Sequence, residues 1–162
     1  MVENAVPDWW ITKDGDKSCL ELYKRHYSAQ KAYADGRERY QFVGPGFNIV
    51  LRTARADALF VWRKYIDDTE PKQEGVECSV FRNESEILSS ELIRQADAVA
   101  DYAWPGQRHY TKVDQEKVRR ANPGWKGKLG TCFVKAGWRR CGMTKGGLLI
   151  LERPAFSILS QP

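Results

Sequence analysis

The chain has 162 residues, 42% of them hydrophobic and 29% charged, with 26 Lys and Arg against 21 Asp and Glu for a net charge of +5. That length can bury one core without disulfides or a structural metal, and the composition excludes a disordered chain. No apolar run approaches the ~20 residues that cross a bilayer, and Met1 to Asp8 has no basic segment followed by an apolar one. A single domain over residues 1–162, soluble and cytoplasmic, is expected.

Cys19, Cys78, Cys132 and Cys141 lack CxxC spacing, which argues against a zinc ribbon. Without a secretory signal, reduced and mostly buried thiols are expected. The surplus cations collect between Lys24 and Arg39 and between Lys112 and Lys145. Such patches suit DNA, RNA or the phosphates of coenzyme A, or are simply a solvated basic face.

Trp9-Trp10 reads as an N-terminal strand or latch that buries two rings. After the turn-like Asp14-Gly15-Asp16, Leu20, Leu22, Tyr23 and Tyr27 have helical spacing, predicting a helix over 18–27. Gly44-Pro45-Gly46 is a break before two apolar runs, Phe47 to Arg52 and Ala58 to Arg63, which form an antiparallel hairpin. A polar loop containing Pro71 leads to a third strand, Val76 to Phe81, that ends at Arg82-Asn83-Glu84-Ser85. Ser89-Ser90-Glu91 opens a helix as N-cap hydroxyls and an early acid, and Leu92, Ile93, Ala96, Val99, Ala100 and Ala103 form its apolar face as far as Trp104-Pro105. His109 to Asp114 is a strand, parallel to the third through this crossover helix. Thr131 to Ala136 makes one or two helical turns, and Trp138 to Thr144 pairs with Leu148 to Glu152 through Lys145-Gly146-Gly147.

The fold class is therefore α/β (α+β), a mixed and mostly antiparallel sheet with a central parallel βαβ splay and flanking helices. This element order, with Asn122 and the run Cys132 to Gly142, resembles the GNAT acyltransferase superfamily over roughly residues 18–152. Phe133, Gly137, Trp138 and Gly142 fit the GNAT ending, a short helix and a "(F/Y)xxxGF…G" turn into the last hairpin. In physical terms Gly137 ends the helix with φ > 0, Trp138 plugs the core and Gly142 permits a close turn or bulge. The resemblance implies an acyl-CoA or related donor, with Ser89, Ser90 and Asn122 as cofactor contacts. The family's Gly-rich pyrophosphate loop is replaced by Arg82-Asn83-Glu84-Ser85-Glu86-Ile87-Leu88, with no glycine and two glutamates, so repulsion of a pyrophosphate is expected there. The Ser89 and Ser90 amides could still cap a smaller anion.

A GNAT-like branch without that loop comprises the bacteriophage Mom-like proteins, associated with altering the exocyclic amine of adenine in DNA. The chain resembles it at Arg25-His26-Tyr27-Ser28, at Arg82, at Ser89 or Ser90, and at Tyr110 and Asp114. The catalytic set this implies is His26, Tyr27, Arg82, Tyr110 and Asp114. Histidine titrates near neutrality, so His26 could take a proton from an attacking amine, or be a surface residue at a helix end. Arg82 could pair with a phosphate or carboxylate, or satisfy Glu84 or Glu91. Ser89 and Ser90 also read as plain N-caps. Tyr110 and Asp114, four apart on one strand, share a face and could line a cleft, although an Asp at a strand end is commonly a cap. His109 points the other way and reads as core or surface.

Arg119, Arg120, Trp125, Lys126 and Lys128 interleave cations with an aromatic, as a DNA contact needs if phosphates are neutralised while Trp125 stacks on an extruded base. Two histidines without ligand spacing predict no metal site. Three functions follow. The first is a Mom-like enzyme modifying DNA in the cytoplasm, that of a host cell if phage-encoded. The second is a conventional acyl-CoA N-acyltransferase acting on a small amine or protein, and the third a non-catalytic module binding DNA or a partner.

Overall fold

The computed structural model of the chain describes residues 6–30 and 32–157. Among these residues the order is β1 (Trp10–Thr12), α1 (Lys17–Lys24), β2 (Phe47–Arg52), β3 (Ala58–Lys64), β4 (Val76–Asn83), α2 (Ser89–Ala103), β5 (His109–Val113), α3 (Gln115–Ala121), α4 (Thr131–Lys135), β6 (Arg139–Met143) and β7 (Leu149–Arg153). The seven strands form one sheet in the order β1-β2-β3-β4-β5-β7-β6. Every pairing is antiparallel except β4 with β5, the two strands that α2 connects.

Strand alternation explains the layers. Ala58, Phe60 and Trp62 of β3 face a core built with Leu92, Ile93, Ala96 and Ala100 of α2. Leu59 and Val61, on the other face, pack with Cys19, Leu22 and Tyr23 of α1. Both faces are covered, so β3 reads as a continuous apolar run instead of alternating with polar residues. Burying a side chain such as Phe60 contributes about 2–3 kcal/mol. The indole N–H groups inside this core are satisfied, Trp9 donating to the Leu92 carbonyl and Trp62 to the Ala96 carbonyl, both at 2.8 Å. Trp10 departs from the expected latch: it is 60% exposed on the edge strand, and only Trp9 is buried.

Trp138 plugs this core, as its position predicts, and donates to the buried Asp97 carboxylate at 2.9 Å. His109 is fully buried and its Nδ1 lies 2.7 Å from the other Asp97 oxygen, making it a core residue. None of the four cysteines is paired; Cys19 and Cys78 are buried, Cys132 is half-buried and Cys141 is exposed.

Three boundaries differ from the sequence reading. The Asp16 carboxylate caps α1 through the Ser18 and Cys19 amides, but the helix stops at Lys24, so His26 and Tyr27 lie beyond it. A helix, α3, occupies residues for which the sequence predicts no element. The N-cap of α2 is Leu88 and not a serine; Ser89 and Ser90 are its first two helical residues.

The central feature is the opening between β4 and β5. These strands pair only at Val76 with His109 and Glu77 with Tyr110. Beyond that point β4 carries an extra residue, Ser79, because Val80 pairs with Val61 and Cys78 with Trp62. Such a bulge bends the strand and shifts its phase. The Cys78 carbonyl is then taken by the Thr111 hydroxyl at 2.8 Å. The parallel pair begins at Gly75, with φ of +122°, where a Cβ would sit 2.2 Å from the Arg108 carbonyl oxygen. Only glycine permits that approach.

Candidate functional site

A cleft of about 720 Å³ lies along the end of β4 and is closed by the segment from α3 to α4. His26 and Tyr27 enter it from the chain beyond α1, Arg82 and Asn83 from β4, and Leu88, Ser89 and Ser90 from the start of α2. Asn122, Trp125, Lys128, Cys132 and Lys135 complete the far wall. Arg82, Lys128 and Lys135 are the cationic lining residues and no lining residue is a carboxylate, which favours an anionic ligand.

Because α1 ends early, His26 and Tyr27 do not diverge as neighbours on a helix would. Their rings stand 4.4 Å apart, tilted by 33°. The His26 Nδ1 accepts from the Ser28 amide at 3.2 Å and lies 2.7 Å from the Ser28 hydroxyl, which places the ring proton on Nε2. Burial first, and then the Arg82 guanidinium, lower the imidazole to about 4 against the opposing effect of the Phe81 backbone. The ring is therefore neutral at pH 7. Burial raises the Tyr27 phenol to about 12, and the groups acting on it include Cys78 on β4 and the Asp114 backbone just past β5. It remains a hydrogen-bond donor at neutral pH.

Arg82 has two anchors, Nε donating to Glu84 at 2.6 Å and Nη1 to the Arg25 carbonyl at 2.9 Å. Arg25 holds the same Glu84 with two hydrogen bonds of 2.7 and 2.9 Å. These two arginines hold the Glu84 carboxyl down at about 2. The cluster fastens the end of α1 to the end of β4 and so positions His26. Arg82 satisfies Glu84, one of the partners expected for it, and also lines the cleft.

The loop before α2 behaves differently from its sequence. Glu84 and Glu86 line a separate groove with Arg55 and Asp57, and Glu84 accepts from the cleft residue Arg82 at 2.6 Å. Ser89 and Ser90 are not N-caps. Their amides open the helix, where no intrahelical acceptor exists, and the Ser89 hydroxyl accepts from Asn83 at 3.0 Å.

In the wall from α3 to α4, Asn122 is the C-cap of α3, and its side chain donates to the Val118 carbonyl at 3.0 Å. Trp125 and Lys128 line the cleft. Arg119, Arg120 and Lys126 do not line it; they are exposed beside it, and Arg120 pairs with Glu116 one turn away at 2.8 Å.

Two members of the expected catalytic set do not line the cleft. Tyr110 is buried on the opposite face from His109, and its hydroxyl donates to Asp67 at 2.7 Å in a network with Lys112, Tyr65 and Glu77. Burial and the Glu77 charge push its phenol far up. Asp114 lies past β5, so it shares no strand face with Tyr110, and its carboxylate accepts from the Lys117 amide at 3.0 Å as the N-cap of α3. A four-residue spacing predicts a common face only while the strand continues, and β5 ends at Val113.

Leu88, Cys132 and Lys135 line the cleft without having been singled out. Lys135 and Cys132 belong to a helix whose GNAT-like spacing drew attention to Phe133 and Gly137 instead. Burial keeps the Cys132 thiol protonated by raising it.

No protein-family model matches the chain, and no curated protein matches it. Among the described residues no helix is long and apolar enough to cross a membrane.

Proposed function

We propose that the chain is a Mom-like enzyme of GNAT fold that transfers an acyl-derived group to the exocyclic amine of adenine in DNA. The observation that carries this reading is the cleft itself, where His26, Tyr27, Arg82, Ser89, Ser90, Asn122, Trp125 and Lys128 meet although they come from four separate stretches of chain. A seven-stranded sheet with one parallel pair, β4 with β5, and a cleft along the end of β4 is the arrangement the GNAT resemblance implies, which supports the reading.

In this reaction the amine nitrogen bonds to the electrophilic carbon of the donor while the donor's leaving group departs with the bond electrons. Neutral His26 receives the amine proton on Nδ1, the unprotonated ring nitrogen, by way of the Ser28 hydroxyl that stands 2.7 Å from it. Tyr27 is too weak an acid to surrender its proton to a thiolate, so it donates a hydrogen bond to the developing charge. Arg82, Lys128, Lys135 and the opening amides of α2 draw the phosphates of donor or DNA.

Mass spectrometry of nucleosides from cells expressing wild type or His26→Ala tests this. A new adenine adduct in wild type, absent from the variant, is expected. An unchanged profile with soluble protein would defeat the reading and leave the acyl-CoA N-acyltransferase, which the carboxylate-free cleft also accommodates. A DNA-binding module without chemistry would tolerate His26→Ala and lose its function on neutralising Arg119 and Arg120.

A further inference from the structure

We propose that Leu88 and Trp125 act together to open duplex DNA at the cleft, Leu88 entering the base stack where the target nucleotide leaves it and Trp125 stacking on the extruded base. This rests on the nucleobase reading above and adds to it, because a single-stranded substrate needs nothing to open it.

Leu88 is 74% exposed while lining the cleft. It occupies the N-cap of α2 with φ of −59° and ψ of 131° and makes no capping hydrogen bond, although Ser, Thr, Asp or Asn would make one there. The fold gains neither a cap nor burial from a leucine at this position. Its mount is rigid: the Asn83 side-chain amide donates to the Ile87 carbonyl at 2.7 Å and to the Ser89 hydroxyl at 3.0 Å, fixing the residues on both sides. The Asn83 oxygen accepts from the Ser85 amide at 2.9 Å, which ties the same loop again. An apolar side chain on a fixed support can enter between base pairs.

Trp125 sits on the other loop of the cleft and is 51% exposed. Its indole rests on Gly127, where a Cβ would come within 2.6 Å of Cζ2, so the glycine leaves room for the ring. Its amide donates to the Asn122 carbonyl at 3.0 Å. The occupant is indicated by charge: Lys128 and Lys135 share the cleft with both residues, and Arg119, Arg120 and Lys126 stand exposed beside it.

The test uses the purified full chain on a mixed-sequence DNA duplex without any acyl donor, mapping permanganate oxidation of thymines left unpaired when their adenine is extruded. Wild type should raise reactivity severalfold at thymines opposite adenines. Leu88→Ser should abolish that rise at protein concentrations that saturate the duplex, with saturation verified for each protein by fluorescence anisotropy, since phosphate contacts dominate affinity. The same variant should raise Tm by roughly 2–4 °C through the new cap, which separates loss of the wedge from misfolding. Trp125→Ala should weaken binding to single strands roughly tenfold. Full permanganate reactivity in Leu88→Ser, or duplex binding by wild type without reactive thymines, overturns the wedge. Binding to single strands alone overturns it too and leaves the nucleobase reading standing. Failure to bind either form removes both.

Discussion

Lowering the pH should act on this protein through His26. The folded chain holds the imidazole at about 4, against an ordinary value of 6.5, mainly by burial and secondly through Arg82. A histidine of depressed pKa stays unprotonated in the fold while the unfolded chain binds a proton, so stability falls as pH drops from 6.5 to about 4 and levels off below that. The full shift corresponds to about 3 kcal/mol; because solvent partly reaches the ring, roughly 1–2 kcal/mol is expected. Urea denaturation of wild type and His26→Gln at pH 7.5 and 4.5 isolates this contribution, since His109 is common to both. The two proteins should differ in their pH dependence by that amount, with wild type losing more. NMR titration of the two histidine rings supplies the pKa directly. If His26 serves as the base, adduct formation should be flat from pH 6 to 8, because the ring is already neutral there. A His26 titration midpoint at or above 6.5, or equal pH dependence in the two proteins, would refute the reasoning.

Two further outcomes concern the frame of the cleft. Asp97→Ala leaves the buried Trp138 indole and His109 imidazole without the acceptor they share, at 2.9 and 2.7 Å, and should cost about 3–5 kcal/mol in urea denaturation. Gly75→Ala sets a Cβ against the Arg108 carbonyl at 2.2 Å with φ at +122°. A loss of about 2–4 kcal/mol is expected, and amide exchange should rise first at Val76 and His109, where the parallel pairing begins.

Much of the fold was legible because local pattern and tertiary need agree. The apolar run of β3, the face of α2 and the Gly137-Trp138 turn each carry their own signal, and Gly137 does adopt a positive φ of 100°. α3 was hidden because five of its seven residues, Gln115 to Ala121, are polar or charged and none is fully buried, so the half-buried Val118 makes no apolar stripe. The cap signal at Asp114 was noticed, but the helix it opens was not. Leu88 was passed over for the same kind of reason, since nothing in Ile87-Leu88-Ser89-Ser90 distinguishes an exposed leucine from a buried one.

By itself the sequence determined the element types apart from α3, the crossover between β4 and β5, and eight of the seventeen residues that line the cleft, because periodicity, caps and turns are properties of neighbouring positions. Tertiary structure decided which side chains face that cleft. The bulge at Ser79 opened the sheet, the early end of α1 turned His26 and Tyr27 into the opening, and the buried Asp67 drew Tyr110 to the far face. Two of the contacts that fix these positions join residues 43 and 57 apart, Asp67 with Tyr110 and the Arg25 carbonyl with Arg82. No local window contains them, and the free energy of a buried hydrogen bond is set by where its partner stands.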